Sequence, residues 1–178
     1  MRSEGALTLE TDRLLIRWLS LDDSQFILRL LNEPSFIQNI ADRGVRNDND
    51  ARSYIQNGPV ASYEQFGFGL YLVQLKDSGT PIGICGLLKR EAFDFPDLGY
   101  ALLPEYWSKG YAIEAARSVL NFVRNQQDLK RVLAIVNADN VASIRLLEKC
   151  DFRFEKTVQL AEDADVQLYA CDLQPLDT

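Results

Sequence analysis

Leu98-Gly99-Tyr100-Ala101-Leu102-Leu103, then Pro104-Glu105-Tyr106, then Trp107-Ser108-Lys109-Gly110-Tyr111-Ala112, is the stretch on which the fold turns. The first run is short and apolar and reads as a strand, and the last leads into a helix. That helix follows from Ile113, Ala116, Val119, Leu120 and Val123, which recur at three- and four-residue steps, while Glu114, Arg117, Asn121 and Arg124 take the other face. Gly110 and Ala112 stand where loop becomes helix, and residues this small let backbone N–H groups approach a ligand. A macrodipole of roughly half a positive charge at such a helix start favours an anion such as phosphate. A strand, a tight turn and a packing helix would use Gly110 for the turn alone, and this stretch by itself supports both readings.

A second stretch, Val136-Asn137-Ala138-Asp139-Asn140-Val141-Ala142-Ser143-Ile144-Arg145-Leu146-Leu147-Glu148-Lys149-Cys150-Asp151-Phe152, favours the anion site. With the first, it resembles the GNAT superfamily of acyl-CoA-dependent N-acetyltransferases, most closely the branch that acetylates N-terminal alanine or serine of ribosomal proteins. Gly110-Tyr111-Ala112 matches that branch's pyrophosphate loop, introduced by Pro104 to Trp107. Asn140, Ser143 and Leu147-Glu148-Lys149 match its Asn-x-x-Ser before a Leu-Glu-Lys helix. The likeness begins at Leu9-Glu10-Thr11-Asp12-Arg13-Leu14 and reaches the last strand. Two residues depart from it: Asp151 stands where the family has Gly before Phe, which bears on the local turn, and Trp107 stands where many members have Gln or Arg.

The resemblance implies a mixed α/β sheet flanked by helices, one acyltransferase domain over 1–178, whose central strand carries a bulge and splays from its parallel neighbour. It implies acetyl-CoA as co-substrate. The backbone N–H groups of Trp107, Ser108, Lys109, Gly110, Tyr111 and Ala112 would receive the pyrophosphate, with the Lys109 side chain assisting. Leu102 and Leu103 would pair with the pantetheine arm, an N–H near Leu102 reaching the thioester oxygen. Asn140 and Ser143 would face the cofactor, although Asn140 also reads as a plain helix cap. Many members place a Tyr general acid four residues beyond Ser143. Leu147 fills that slot here and cannot donate, which leaves Ser143 as the expected proton donor. Asp97, where the family often has a Glu, would take the amine's proton through a water if burial raises its pKa. It reads equally as a turn carboxylate paired with a cation, with Glu105 and Glu91 in reserve.

Composition sets the outer bounds. A chain of 178 residues, 47% hydrophobic and 25% charged, suits one globular domain. No run approaches the ~18 apolar residues of a membrane span, and Met1 to Gly5 leads into a strand pattern, so the expectation is a soluble, cytoplasmic protein. Cys85, Cys150 and Cys171 are odd in number and lack metal spacing, which points to reduced packing residues and no metal site. With no histidine, acid–base work falls to carboxylates, Tyr, Ser, Cys, Lys or water. A net charge of -7 disfavours nucleic acid and favours cationic acceptors. A polyanionic cofactor would then be held by local features, against the overall field.

The remaining chain reads in order as follows. Leu7 to Leu19 is a strand interrupted by Thr11-Asp12-Arg13, which suggests a bulge. Asp22-Asp23-Ser24 caps a helix carrying Phe26, Ile27, Leu30 and Leu31, limited by Pro34, and Phe36 to Ile40 is a short helix. Ala41 to Asp50 either shapes substrate choice or is a solvated connector. Asp48 or Asp50 caps the next helix, which Gly58-Pro59 kinks or breaks. Phe68 to Lys76 and Pro81 to Leu88 form a hairpin, with Gly83 and Gly86 allowing a close backbone approach. Arg131 to Val136 is a buried strand, Val141 to Lys149 a helix, and Phe152 to Val158 and Val166 to Leu173 the last strands. The acidic connection Ala161 to Asp165 reads first as a solvated linker and second as a steering patch.

The function expected is transfer of an acetyl group to a primary amine by direct attack in a ternary complex, since no Cys is placed for an acyl-enzyme. The acceptor stays open between a peptide N-terminus and a small molecule such as a polyamine or aminoglycoside. A non-catalytic acyl-CoA-binding module is the competing class. A nucleotide-binding domain is disfavoured by the absence of Gly-x-x-x-x-Gly-Lys-Ser/Thr. A homodimer is left open.

Overall fold

A computed structural model describes residues 7–126, 129–161 and 164–173. Its strands are β1 (Thr8–Glu10), β2 (Leu14–Trp18), β3 (Leu70–Leu75), β4 (Pro81–Leu88), β5 (Asp97–Leu102), β6 (Arg131–Val136), β7 (Arg153–Ala161) and β8 (Ala164–Asp172). They form one sheet in the order β1-β2-β3-β4-β5-β6-β8-β7. Every neighbouring pair is antiparallel except β5 and β6. The helices are α1 (Ser24–Leu31), α2 (Pro34–Asn39), α3 (Asp48–Ile55), α4 (Ala61–Phe66), α5 (Tyr111–Gln126) and α6 (Val141–Lys149).

The sheet separates two cores. On one face Leu98 and Leu102 of β5 pack with Ala115, Ala116, Val119 and Val123 of α5 and with Leu147 of α6. On the other, Leu103, with Ala101 beside it, packs with Ile27, Leu30 and Leu31 of α1 and Ala51 and Ile55 of α3. Because side chains alternate along a strand, Leu98, Tyr100 and Leu102 share the α5/α6 face and Asp97, Gly99 and Ala101 share the α1/α3 face. Gly83 and Gly86 are forced by close approach: a Cβ would lie 2.3 Å from the Ala101 carbonyl oxygen at Gly83 and 2.0 Å from that of Gly69 at Gly86.

β5 and β6 meet at one register position, Asp97 opposite Leu133, with Leu133 N–H donating to the Pro96 carbonyl at 2.9 Å. Beyond it they diverge, giving the expected splay. The expected bulge is not there: β5 runs in unbroken register with β4 from Asp97 opposite Leu88 to Leu102 opposite Gly83. The slot therefore opens by divergence alone.

Several local readings need correction. Thr11-Asp12-Arg13 is the turn of a hairpin, Thr11 N–H donating to Leu14 at 3.0 Å, so Leu7 to Leu19 is two strands and not one bulged strand. Asn47, not Asp48 or Asp50, caps α3, its side chain accepting from Asp50 N–H at 2.8 Å. Before α1 a 3-10 turn, Leu21–Asp23, is capped by Ser20, whose hydroxyl accepts from Asp22 N–H. Asp23 completes the box by accepting from Ser20 N–H, while standing at the start of α1 without a side-chain cap bond there. Gly58-Pro59 interrupts the α-helical hydrogen bonding between Ile55 and Ala61 without ending the helical path. Gln56–Val60 is a single widened π turn that absorbs Pro59 and passes directly into α4. Glu162 and Asp163 of the acidic connection lie outside the described residues, as does Asp128, where the sequence places the end of the helix after Gly110.

Candidate active site

The splay opens a cavity of about 890 Å³ that passes through the sheet, from α5 and α6 on one face to α1, α2 and α3 on the other. Its floor on one side is β5. Leu103 N–H donates to Ile82 at 2.9 Å, so the odd-numbered N–H groups of β5 point at β4 and, beyond the single pairing with β6 at Asp97, those of Tyr100 and Leu102 point into the slot. Leu102 thus stands on the open edge. Leu103 does not: its N–H is spent on Ile82 and its side chain is 1% exposed within the α1/α3 core.

At the wide end of the slot lies the loop before α5. Ser108 and Gly110 both take left-handed backbone conformations, with φ of 60° and 81°. Turns of this kind gather successive N–H groups into a concavity for an anion. The first-turn N–H groups of Tyr111, Ala112 and Ile113 have no carbonyl a turn earlier to receive them, and the first such bond, from Glu114 N–H to Gly110, is 3.2 Å. Ser108, Gly110, Tyr111 and Ala112 line the cavity. Trp107 lines it differently from the expectation. Its backbone N–H donates to Pro104 at 3.1 Å and its indole N–H to Leu102 at 2.9 Å, so it ties the loop to β5 and has no donor left for phosphate. The Lys109 side chain is not among the cavity's walls.

Arg13, from the β1–β2 turn, holds this loop from behind, a role sequence reading missed. Its Nη1 donates to the Lys109 carbonyl at 2.9 Å, its Nε pairs with Glu114 at 2.9 Å, and its guanidinium lies 4.3 Å from the Tyr111 ring centroid. Thr11 Oγ1 adds a 2.6 Å bond to Glu114. Partial burial pushes the Glu114 carboxyl up, but the Thr11 and Arg13 hydrogen bonds outweigh it and hold its pKa below the ordinary value. The signal was the Thr-x-Arg turn, whose partner lies about a hundred residues away.

Further along the α5/α6 face, Asn140 caps α6, its Oδ1 accepting from Ser143 N–H at 3.2 Å. Ser143 faces the slot, and its Oγ accepts from the Tyr100 hydroxyl at 2.7 Å. Burial pushes the Tyr100 phenol up to about 12, the bond to Ser143 opposing only part of this. Leu147 carries no hydroxyl, and the phenol at this place comes from β5 and donates to Ser143. Because Tyr100 donates to Ser143, the serine's own proton is free to point into the slot.

Asp97 occupies the other face, 1% exposed, its Oδ1 accepting from Arg90 Nε at 2.9 Å. Burial raises its pKa, while the Arg90 charge and hydrogen bond pull it down. Gly99 and Ala101, above it in the same column, keep that side of the slot clear. The reserve carboxylates are elsewhere: Glu105 pairs with Arg29 at 2.5 Å, and neither it nor Glu91 lines the cavity. Cys85, Cys150 and Cys171 are free, buried and pushed up in pKa by that burial, and none lines the cavity. Among the described residues no cluster of His, Cys, Asp and Glu could hold a metal ion, and no helix is long and apolar enough to cross a membrane.

The comparisons with known proteins agree with this geometry. Residues 13–153 match the family model described as an acetyltransferase (GNAT) domain. The chain is 28% identical over 147 residues to YnaD, an uncharacterised N-acetyltransferase of Bacillus subtilis, covering 83% of each. Among solved structures it superposes on the ribosomal L7/L12 alpha-N-protein acetyltransferase RimL in complex with coenzyme A, with a TM-score of 0.83 at 17% identity, covering 94% of this chain and 98% of that one. It superposes also on the microcin C7 self-immunity acetyltransferase MccE in complex with acetyl-CoA and AMP, with a TM-score of 0.78 at 20% identity, covering 91% and 93%. With the splayed strands, the loop of free N–H groups and the matched family model in place, the chain belongs to the GNAT family of acetyltransferases.

Proposed function

We propose that this protein transfers an acetyl group from acetyl-CoA to a primary amine, by direct attack of the amine while both substrates are bound. The observation that carries the reading is the passage through the sheet, with an anion-receptive loop and Tyr100–Ser143 on one face and Asp97 on the other. The residues fit the co-substrate: N–H groups of Ser108 to Ile113 would hold its pyrophosphate, and the open edge of β5 would pair with its pantetheine arm. Bound acetyl-CoA supplies an activated acyl group. The protein's part is to place donors and acceptors around it.

Leu102 N–H, aimed into the slot, polarises the acyl oxygen as a backbone donor that needs no reorganisation. Ser143, bonded by Tyr100, delivers a proton to the departing sulfur. Asp97 receives the amine's proton through a water, its raised pKa bringing it nearer the range of an effective base. A peptide N-terminus is the acceptor suggested by the likeness to RimL, whose name states a protein N-terminal substrate. A small-molecule amine is the second reading, and the enclosure of the acceptor side by α1, α2 and α3 favours a compact group at the reacting nitrogen. Release of free thiol from acetyl-CoA, measured with peptides bearing Ala or Ser N-termini and with small amines, tests the proposal. Turnover with either panel is expected, and acetyl-CoA binding without thiol release from any acceptor contradicts it.

A further inference from the structure

Beside the acceptor end of the slot lies a second chamber of about 380 Å³, lined by Arg43, Lys89 and Arg90 together with Tyr54, Phe66 and the π turn at Gly58-Pro59. Arg43, Tyr54, Leu70, Leu88 and Arg90 border both spaces, so a molecule seated in one reaches the other. No carboxylate lines the chamber, in a protein whose net charge is -7.

The three cations are placed, and two of them, Arg43 and Lys89, form no ion pair with a described carboxylate, while Arg90 is paired with Asp97 through one nitrogen. Lys89 Nζ donates to the Arg90 carbonyl at 2.9 Å and to the Phe93 carbonyl, which fixes its charge at the wall without neutralising it. Arg90 gives only Nε to Asp97. The Arg43 guanidinium has no hydrogen bond or ion pair to any described residue, while the acid beside it, Asp42, is tied to Arg46 at 2.5 Å. π turns inside helices recur at functional sites, and this one leaves Gly58 with nothing within 4 Å of where a Cβ would stand.

From this chamber, and resting on the acceptor-face reading above, we infer that the acceptor carries an anionic group, carboxylate or phosphate, beside its amine, and that Arg43, Lys89 and Arg90 receive it. The same positive wall repels ammonium and so favours the neutral, nucleophilic form of the acceptor amine. It also disfavours polycations such as polyamines and aminoglycosides, reversing the expectation that net charge alone suggests. Tyr54, Phe66 and Leu70 line the space with apolar surface, suited to the carbon frame between the two groups.

Calorimetric titration of the coenzyme A-loaded protein with matched α-amines tests this without relying on turnover, so its outcome is separate from that of thiol release. The pairs are serine amide with O-phosphoserine amide, and glutamine amide with glutamate α-amide. The anionic member is expected to bind roughly tenfold more tightly, and whichever anion gains more identifies the group. Arg43→Glu should remove the difference and Arg43→Lys keep part of it, with coenzyme A affinity unchanged in both as a check on folding. Equal affinity within each pair, no measurable binding of either anion, or a preference that survives Arg43→Glu overturns the inference.

Discussion

In the proposed reaction Ser143 and Tyr100 divide one task between them. Ser143 touches the slot, and Tyr100 orients it through the 2.7 Å bond. Ser143→Ala is expected to lower kcat by ~100-fold, within the range of general acid catalysis, whereas Tyr100→Phe keeps the ring and should cost about tenfold. Neither should change the affinity for acetyl-CoA measured by calorimetry, and unchanged turnover in both variants would remove the proton-donor role. Asp97 gives a prediction in pH. Its active form is the carboxylate, so kcat/KM rises with pH through its pKa, and because burial raises that pKa the limb lies above the ordinary range for aspartate. Asp97→Asn should flatten the limb. Arg90→Gln, which removes the charge that favours the carboxylate, should move it to higher pH. An unaltered profile in both would show that Asp97 only closes the wall. Asp97 and Ser143 were legible in the sequence as candidates, from their places in the motifs. Tyr100 was not, since its partner is 43 residues away and the contact exists only once α6 lies across β5.

Turns and helix ends were read less well than the elements they join, because their geometry depends on partners distant in sequence. The start of α5 was recognisable from Gly110 and the apolar periodicity of Ile113 to Val123. That Trp107 spends both its N–H groups within the protein, and that Arg13 supports the loop, was not. Leu102 and Leu103 looked equivalent as apolar strand residues, yet the parity of β4–β5 pairing gives one N–H to the slot and the other to Ile82. Asp151 shows a local rule broken and tolerated. It takes φ of 68° after α6, the left-handed position that the family fills with Gly, so the turn survives with its strain. Asp151→Gly should relieve it and raise the free energy of unfolding by about 1 kcal/mol, read by denaturant titration. A destabilised variant would mean that the aspartate side chain compensates for the backbone.

The molecule as a whole is organised by one departure from regular pairing. β5 and β6 leave each other after a single register position, and the candidate site residues collect along the resulting gap. The order of strands and helices was legible from apolar periodicity, and the mixed sheet followed from the family likeness. The missing bulge was not legible, since register between β4 and β5 is set by the close backbone approach that Gly83 permits. Net charge is a poor guide to the acceptor for a related reason: a total of -7 says nothing of where three cations are concentrated.

Initial rates of thiol release, with acetyl-CoA and the best acceptor varied together, address the central proposal most directly. Direct attack within a ternary complex predicts double-reciprocal lines that intersect, and thiol release that depends on the acceptor. Parallel lines, or a burst of thiol with no acceptor present, would mean that an acylated protein forms first and would contradict the proposed reaction.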